Sequence, residues 1–158
     1  MENKHDTYTQ LLAQVRALTK GEDDGIALLA NVAAAIHEAL GTWWTGFYLW
    51  RGNALHLGPF QGPVACTRIP AGKGVCGTAY QQRRTIVVPD VERFSGHIAC
   101  SSRSRSEIVV PLTATTGEVL GVLDIDSTEL STFDEVDAKG LEAVAQVVAE
   151  CLEAATRY

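Results

Sequence analysis

Two strand–turn–strand patterns constrain the fold of this 158-residue chain more than any other feature. Residues 43–50 are rich in aromatic side chains and predict a strand, and the tight turn that follows predicts an antiparallel return over residues 54–60. Two apolar runs, residues 107–112 and 118–126, are joined by a short polar turn and predict a second hairpin. Because hairpins pair neighbouring strands, we expect a mostly antiparallel sheet.

Amphipathic helices flank these strands at both ends of the chain. A helix is predicted in the N-terminal segment, residues 1–22, and a second helix follows and ends at Gly41. A last helix is predicted within residues 131–156, starting at Thr132, with Glu135 completing a capping box. The order predicts one α+β domain over residues 1–158, with helices on one face of the sheet and loops on the other. The two terminal helices could pack together on the sheet or pair with a partner subunit.

Composition and charge narrow the class of protein. A net charge of -6 without a basic tail argues against nucleic acid as a partner. The apolar runs are too short to span a membrane. The polar N-terminal residues lack the apolar segment of a signal peptide, so we expect a cytoplasmic protein.

Between the hairpins, residues 58–105 are punctuated by glycine and proline and predict an active-site lid. A short helix over residues 74–82 is predicted within it. Cys100 lies near the end of this segment, followed by Arg103 and Arg105, and cations near a thiol favour the reactive thiolate. This segment is therefore a candidate thiol active site.

The remaining cysteines are Cys66, Cys76 and Cys151. In a reducing compartment a structural disulfide framework is not expected, and the spacings match no zinc-ligand pattern. Cys151 lies on the apolar face of the last predicted helix and is interpreted as a packing residue. Reactive use is open for the other two.

Acidic and aromatic side chains in the predicted strands are the candidate binding residues. Asp124 and Asp126 are two residues apart, so both carboxylates leave the same side of the sheet. They could line a site that meets a cation or a proton donor, or the strand could simply run out into solvent. Trp44 and Tyr48 also share one side, with Trp43 on the other. They could be core residues or the wall of an apolar pocket.

Four motifs carry a resemblance to a known family over nearly the whole chain: WWTGFYL at 43–49, GPVACTRIPAGKGVCGTA at 62–79, GHIACSSRSRSEIVVPL at 96–112 and GVLDIDS at 121–127. The chain resembles GAF domains, and within them the free methionine-(R)-sulfoxide reductases. This resemblance implies a single domain whose sheet carries a loop-roofed ligand pocket. GAF domains are commonly homodimers.

The resemblance also implies roles for individual residues. Cys100 matches the nucleophile, and Cys66 and Cys76 both match cysteines that could resolve it. Trp44 and Tyr48 match the aromatic residues around the substrate methyl group. The acidic residues that hold the substrate ammonium and the sulfoxide oxygen are matched by three carboxylates: Glu107, Asp124 and Asp126. Either Glu107 or Asp126 could be the general acid. Ser101 and Arg103 depart from the usual pattern, and the added positive charge would favour thiolate formation.

The implied reaction is reduction of free L-methionine-(R)-sulfoxide to L-methionine, with thioredoxin as reductant and a role in methionine salvage and oxidative-stress repair. No metal, flavin or nicotinamide is expected, and backbone N–H groups of the loops could receive the substrate carboxylate. The alternatives are a ligand-sensing GAF module without chemistry and a peroxide-responsive thiol sensor. The first has no use for the three clustered cysteines, and the second needs no amino-acid pocket.

Overall fold

The centre of the molecule is a six-stranded sheet in which every described strand pair is antiparallel. The computed structural model describes residues 3–97, 103–155 and 158. The strands are β1 (Trp44–Arg51), β2 (Ala54–Gln61), β3 (Arg68–Pro70), β4 (Ile86–Val88), β5 (Ser106–Thr113) and β6 (Val119–Ser127). Their order across the sheet is β3-β2-β1-β6-β5-β4. Both predicted hairpins, β1–β2 and β5–β6, are confirmed.

Three long helices cover one face of this sheet and a short one lies on the other. The helices are α1 (Lys4–Thr19), α2 (Gly25–Leu40), α3 (Gly74–Gln82) and α4 (Glu135–Ala154). The side chains of α1, α2 and α4 share an apolar core with alternate residues of the central strands, whereas α3 packs into a second apolar cluster on the opposite face. In the described part of the chain, no helix combines the length and apolarity that crossing a bilayer needs.

The start of α4 differs from the prediction. Asp134 is the N-cap, and its carboxylate and that of Asp137 each accept a backbone N–H of the other residue. The predicted pair of Thr132 and Glu135 is therefore wrong. Thr132 instead donates its hydroxyl to Ser127 Oγ at 2.6 Å. The sequence contains two overlapping capping patterns here, Thr132 with Glu135 and Asp134 with Asp137. The first is not used, because the Thr132 hydroxyl is already hydrogen-bonded to Ser127.

The terminal helices are joined through a buried polar contact. The Tyr8 hydroxyl donates to Asp137 Oδ1 at 2.7 Å, and the Lys4 ammonium contacts the other oxygen of the same carboxylate at 2.5 Å. A Cβ on Gly140 would overlap the Tyr8 ring, so glycine lets α1 approach α4 closely. Of the two predicted arrangements, the terminal helices thus pack together within the chain.

The predicted lid, residues 58–105, contains more regular structure than its composition indicates. The predicted helix over residues 74–82 is present as α3. Strand β3 was not predicted, because three residues are too few for an alternating pattern. It pairs with β2 and carries the chain from the sheet edge towards α3.

Candidate active site

Three carboxylates come together because of the register between β5 and β6. Glu107 lies opposite Asp126, and Val109 lies opposite Asp124. Since alternate residues of a strand face the same way, all three acids project from the sheet face opposite the long helices. Glu107 and Asp124 are each only 6% exposed. The strand does not run out into solvent at its acids, so that alternative is wrong.

Aromatic side chains stand beside these acids on β1. The β1–β6 register places Trp44 opposite Asp126 and Gly46 opposite Asp124. The Trp44 and Tyr48 rings are buried and stack on each other with centroids 6.0 Å apart. These rings are core residues of the second apolar cluster, and they also line a pocket together with the acids. Both predicted interpretations of the pair, core residues and pocket wall, therefore apply.

Gly46 makes room for the indole of Trp44. A Cβ at Gly46 would overlap both the Trp44 ring and the Cβ of Phe60 on β2. Without it, the Trp44 ring lies across the strand and stacks on Phe60 with centroids 5.3 Å apart. The glycine in the aromatic strand therefore shapes the apolar wall of the pocket.

The same two aromatic residues hold the lid onto the sheet. The Trp44 indole N–H donates to the carbonyl of Pro63 at 2.9 Å. The Tyr48 hydroxyl donates to the carbonyl of Cys66, also at 2.9 Å. Each ring thus fixes the backbone of the segment that contains Cys66, a function that the sequence did not reveal.

Trp43 lines the pocket as well, contrary to the predicted alternation. Strand β1 begins at Trp44, so the two-residue period does not extend to Trp43. Arg103 lies over the Trp43 ring with its guanidinium carbon 5.9 Å from the centroid, a cation–π contact at the pocket rim.

Burial dominates the electrostatics of the acids. It raises the pKa values of Glu107 and Asp126 well above the usual range, and repulsion from Asp124 adds to both shifts. The Asp126 carboxylate also accepts the Ser104 hydroxyl at 3.0 Å. Burial raises the Asp124 pKa too, but hydrogen bonds from Glu107 and Cys76 oppose that shift. Burial and repulsion therefore favour the protonated forms of Glu107 and Asp126, whereas the hydrogen bonds that Asp124 accepts favour its ionised form.

The cysteines divide into different states. Cys66 is disulfide-bonded, whereas Cys76 and Cys151 are free thiols. Cys76 is 4% exposed, and burial together with the negative charges of the acids raises its pKa well above the usual range. Cys151 packs against the helix-side core, as predicted. Cys100 and Ser101 lie outside the described residues.

One set of potential metal ligands is present among the described residues. Cys76, Glu107 and Asp124 each offer a ligand atom, and these atoms lie within 4.8 Å of one another. A cation could be held between them. The expected absence of a metal cofactor stays a prediction.

Several pocket residues were not predicted to have a role. Lys73, His97 and Ser104 line the cavity together with the start of α3. All three lie in segments that the sequence interpretation assigned to the lid, next to Cys76 or Cys100. Proximity to a candidate cysteine was the only sequence signal that pointed to them.

The GAF domain model matches residues 24–152 of the chain. GAF domain-containing protein A of Dictyostelium discoideum is 54% identical over 147 residues, covering 92% of each chain. The free methionine-R-sulfoxide reductase of Escherichia coli is 47% identical over 147 residues, covering 92% of this chain and 88% of the relative. Among solved structures, the free methionine-R-sulfoxide reductase of Neisseria meningitidis in complex with its substrate superposes with a TM-score of 0.94 at 49% identity, covering 98% of this chain and 93% of that chain.

Proposed function

The chain belongs to the GAF domain family and, within it, to the free methionine-R-sulfoxide reductases, and we propose that it reduces free L-methionine-(R)-sulfoxide to L-methionine. The observation that carries this proposal is the joint occurrence, in one pocket, of three acids, of which Glu107 and Asp124 are buried, and the Trp44–Tyr48 wall. An amino acid with a polar sulfoxide and a methyl group has complementary parts for both.

The acids suit a free amino acid better than a peptide residue. Asp124 is buried, and its Oδ1 has no hydrogen-bond partner among the described residues. A substrate ammonium would supply that partner and a compensating charge. Methionine sulfoxide within a peptide has no ammonium, and it would leave the carboxylate unpaired in a desolvated site. The substrate methyl group would lie against Trp44 and Tyr48, whose ring faces favour the partial positive charge on the sulfoxide sulfur.

The acid that protonates the sulfoxide oxygen is either Glu107 or Asp126. Burial raises the pKa values of both well above the usual range, which favours the protonated form that a general acid needs. Asp126 accepts the Ser104 hydroxyl, and such a hydrogen bond favours the ionised form of Asp126. This difference makes Glu107 the better candidate for the protonated acid. A proton on Glu107 or Asp126 would be available to the sulfoxide oxygen, and a negative charge on Asp124 would bind the substrate ammonium.

The thiol steps begin at Cys100. Its thiolate attacks the sulfoxide sulfur, the oxygen takes up the acid's proton and transfers to Cys100, and methionine leaves. Cys100 is then a sulfenic acid. The described residues His97 and Ser104, which precede and follow it in the sequence, both line the pocket, which supports its assignment to this site.

A second thiol then condenses with the sulfenic acid, releasing water and forming a disulfide. Cys66 suits this step better than Cys76, because Cys66 is disulfide-bonded here. Cys76 is a buried free thiol whose raised pKa disfavours the thiolate. Thioredoxin, a dithiol, would reopen the disulfide by exchange and become oxidised itself. Such a cycle suits a reducing compartment such as the cytoplasm, where it would support methionine salvage and repair after oxidative stress.

The substrate assignment is tested by steady-state turnover with a thioredoxin system. Free L-methionine-(R)-sulfoxide, its S epimer and N-acetyl methionine-(R)-sulfoxide are compared at equal concentrations. We expect turnover of the free R epimer alone. Equal turnover of the N-acetyl compound would contradict the proposed role of the ammonium, and no turnover of any of the three would remove the function.

The thiol order is tested with three serine variants at Cys100, Cys66 and Cys76. Cys100→Ser should form no methionine. Cys66→Ser should release methionine stoichiometrically in a single turnover, without cycling through thioredoxin. Cys76→Ser, the matched control, should still cycle. Loss of thioredoxin cycling in Cys76→Ser, with cycling retained in Cys66→Ser, would reverse the assignment.

A further inference from the structure

Positive charge is concentrated on the predicted lid. Residues 58–105 contain seven of the 13 Lys and Arg residues but only two of the 19 acids, Asp90 and Glu92. All seven cations are exposed. The long helices on the other face of the sheet differ, since α4 alone carries five acids and one lysine. The lid therefore presents a positive surface in a chain whose net charge is -6, and such a surface attracts an acidic partner.

Within the lid, an apolar side chain is exposed beside a disulfide sulfur. Val64 is 89% exposed, more than any other large hydrophobic side chain among the described residues. It lies two residues before Cys66, which is disulfide-bonded. The carbonyls of Pro63 and Cys66 accept hydrogen bonds from the rings of the pocket wall, so the backbone around Val64 is fixed. An exposed valine on a fixed backbone offers apolar surface to a partner at a small entropic cost.

A cation follows on the same segment. Arg68 is two residues after Cys66, so the two Cα atoms lie within about 7 Å of each other. Strand β3 holds Arg68 in register with His56, and the arginine side chain is exposed. It forms no salt bridge with the described residues. Without a nearby opposite charge, its field extends over about 10 Å at an ionic strength of about 0.1 M and reaches a docking protein.

We propose that residues 64–68 form the docking surface for thioredoxin, with Val64 as the apolar contact and Arg68 as the partner of an acidic side chain beside the thioredoxin dithiol. This inference rests on the proposed function, in which an external dithiol must reopen the Cys66 disulfide in every cycle. The surface surrounds that disulfide, so its occupant is a dithiol protein. A small uncharged dithiol reaches the disulfide without this surface.

The experiment measures reduction of free L-methionine-(R)-sulfoxide with two reductants, an acidic thioredoxin and dithiothreitol. We expect Arg68→Glu to lower kcat/KM for thioredoxin about ten-fold at low salt and to leave turnover with dithiothreitol unchanged. Arg68→Gln should show an intermediate loss. The matched control is Lys139→Glu, which makes the same change in net charge at an exposed position of α4 and should alter neither reaction.

Salt and a charge swap separate the two kinds of contact. The wild-type kcat/KM for thioredoxin should fall as NaCl is added, and that of Arg68→Glu should fall less. Val64→Asn should raise KM for thioredoxin about equally at low and high salt, because an apolar contact is not screened. A thioredoxin with lysine in place of an acidic residue beside its dithiol should restore most of the activity of Arg68→Glu.

Three outcomes would overturn the inference: equal losses for Arg68→Glu and Lys139→Glu, equal losses with both reductants, or a wild-type kcat/KM for thioredoxin that does not depend on salt. Wild-type turnover with dithiothreitol but none with thioredoxin would also overturn it. No reduction of the R epimer with either reductant would instead overturn the proposed function.

Discussion

Replacing Glu107 by glutamine should stabilise the protein and slow the reaction, and the stability gain should grow as the pH rises. The oxygens of Glu107 and Asp124 that face each other lie within 4.8 Å. At such a distance and an effective dielectric constant of about 20, two carboxylates repel by about 3 kcal/mol, so the protonated form of one of them is favoured. Burial is the larger cause of the raised Glu107 pKa, and the repulsion from Asp124 adds to it.

The sign follows from proton linkage. An unfolded glutamate titrates near pH 4.3, about as in model peptides. Because the folded-state pKa of Glu107 is raised, stability from this group is present below about pH 4.3 and is lost as the pH rises towards the folded pKa. The loss is about 1.4 kcal/mol per pH unit between the unfolded-state and the folded-state pKa of this group. The glutamine side chain cannot ionise, so the variant avoids this loss.

The assay is urea unfolding of wild type and Glu107→Gln in the same reductant, at steps from pH 5 to pH 8. The matched control is Glu38→Gln, an exposed acid on α2, for which the difference from wild type should stay near zero. A stability difference for Glu107→Gln that does not change with pH would refute the raised pKa. Single-turnover methionine release should fall about 100-fold if Glu107 is the general acid; an unchanged rate would assign that role to Asp126.

Two tyrosine-to-phenylalanine variants separate lid attachment from helix packing. Tyr48→Phe leaves the Cys66 carbonyl without its donor, so stability should fall by about 1 kcal/mol and amide hydrogen exchange over residues 62–66 should accelerate. Tyr8→Phe removes the hydroxyl from buried Asp137 and should lower the free energy of unfolding by about 2 kcal/mol in urea titrations, with KM unchanged. Unaltered exchange in the first variant, or a changed KM in the second, would contradict these assignments.

Local patterns in the sequence were enough to predict which side chains share a face of a strand. Alternation put Trp44 and Tyr48 on one side, and the two-residue spacing put Asp124 and Asp126 on one side, and the structure agrees. Such patterns repeat within a few residues, so they can be recognised without knowledge of the rest of the chain. They failed at Trp43, where the strand had not yet begun, and at Thr132, where two capping patterns overlapped.

Relations between distant segments depended on the tertiary structure. Trp44, Tyr48 and the three acids were identified from the sequence, partly through resemblance, but only the register of β1 on β6 and of β5 on β6 showed that they are neighbours. The contact of Tyr48 with the Cys66 backbone and the position of the first turn of α3 beside Asp124 have no local signature. A strand's own pattern states which side chains share a face, whereas only packing of the whole chain decides which faces meet and at what distance.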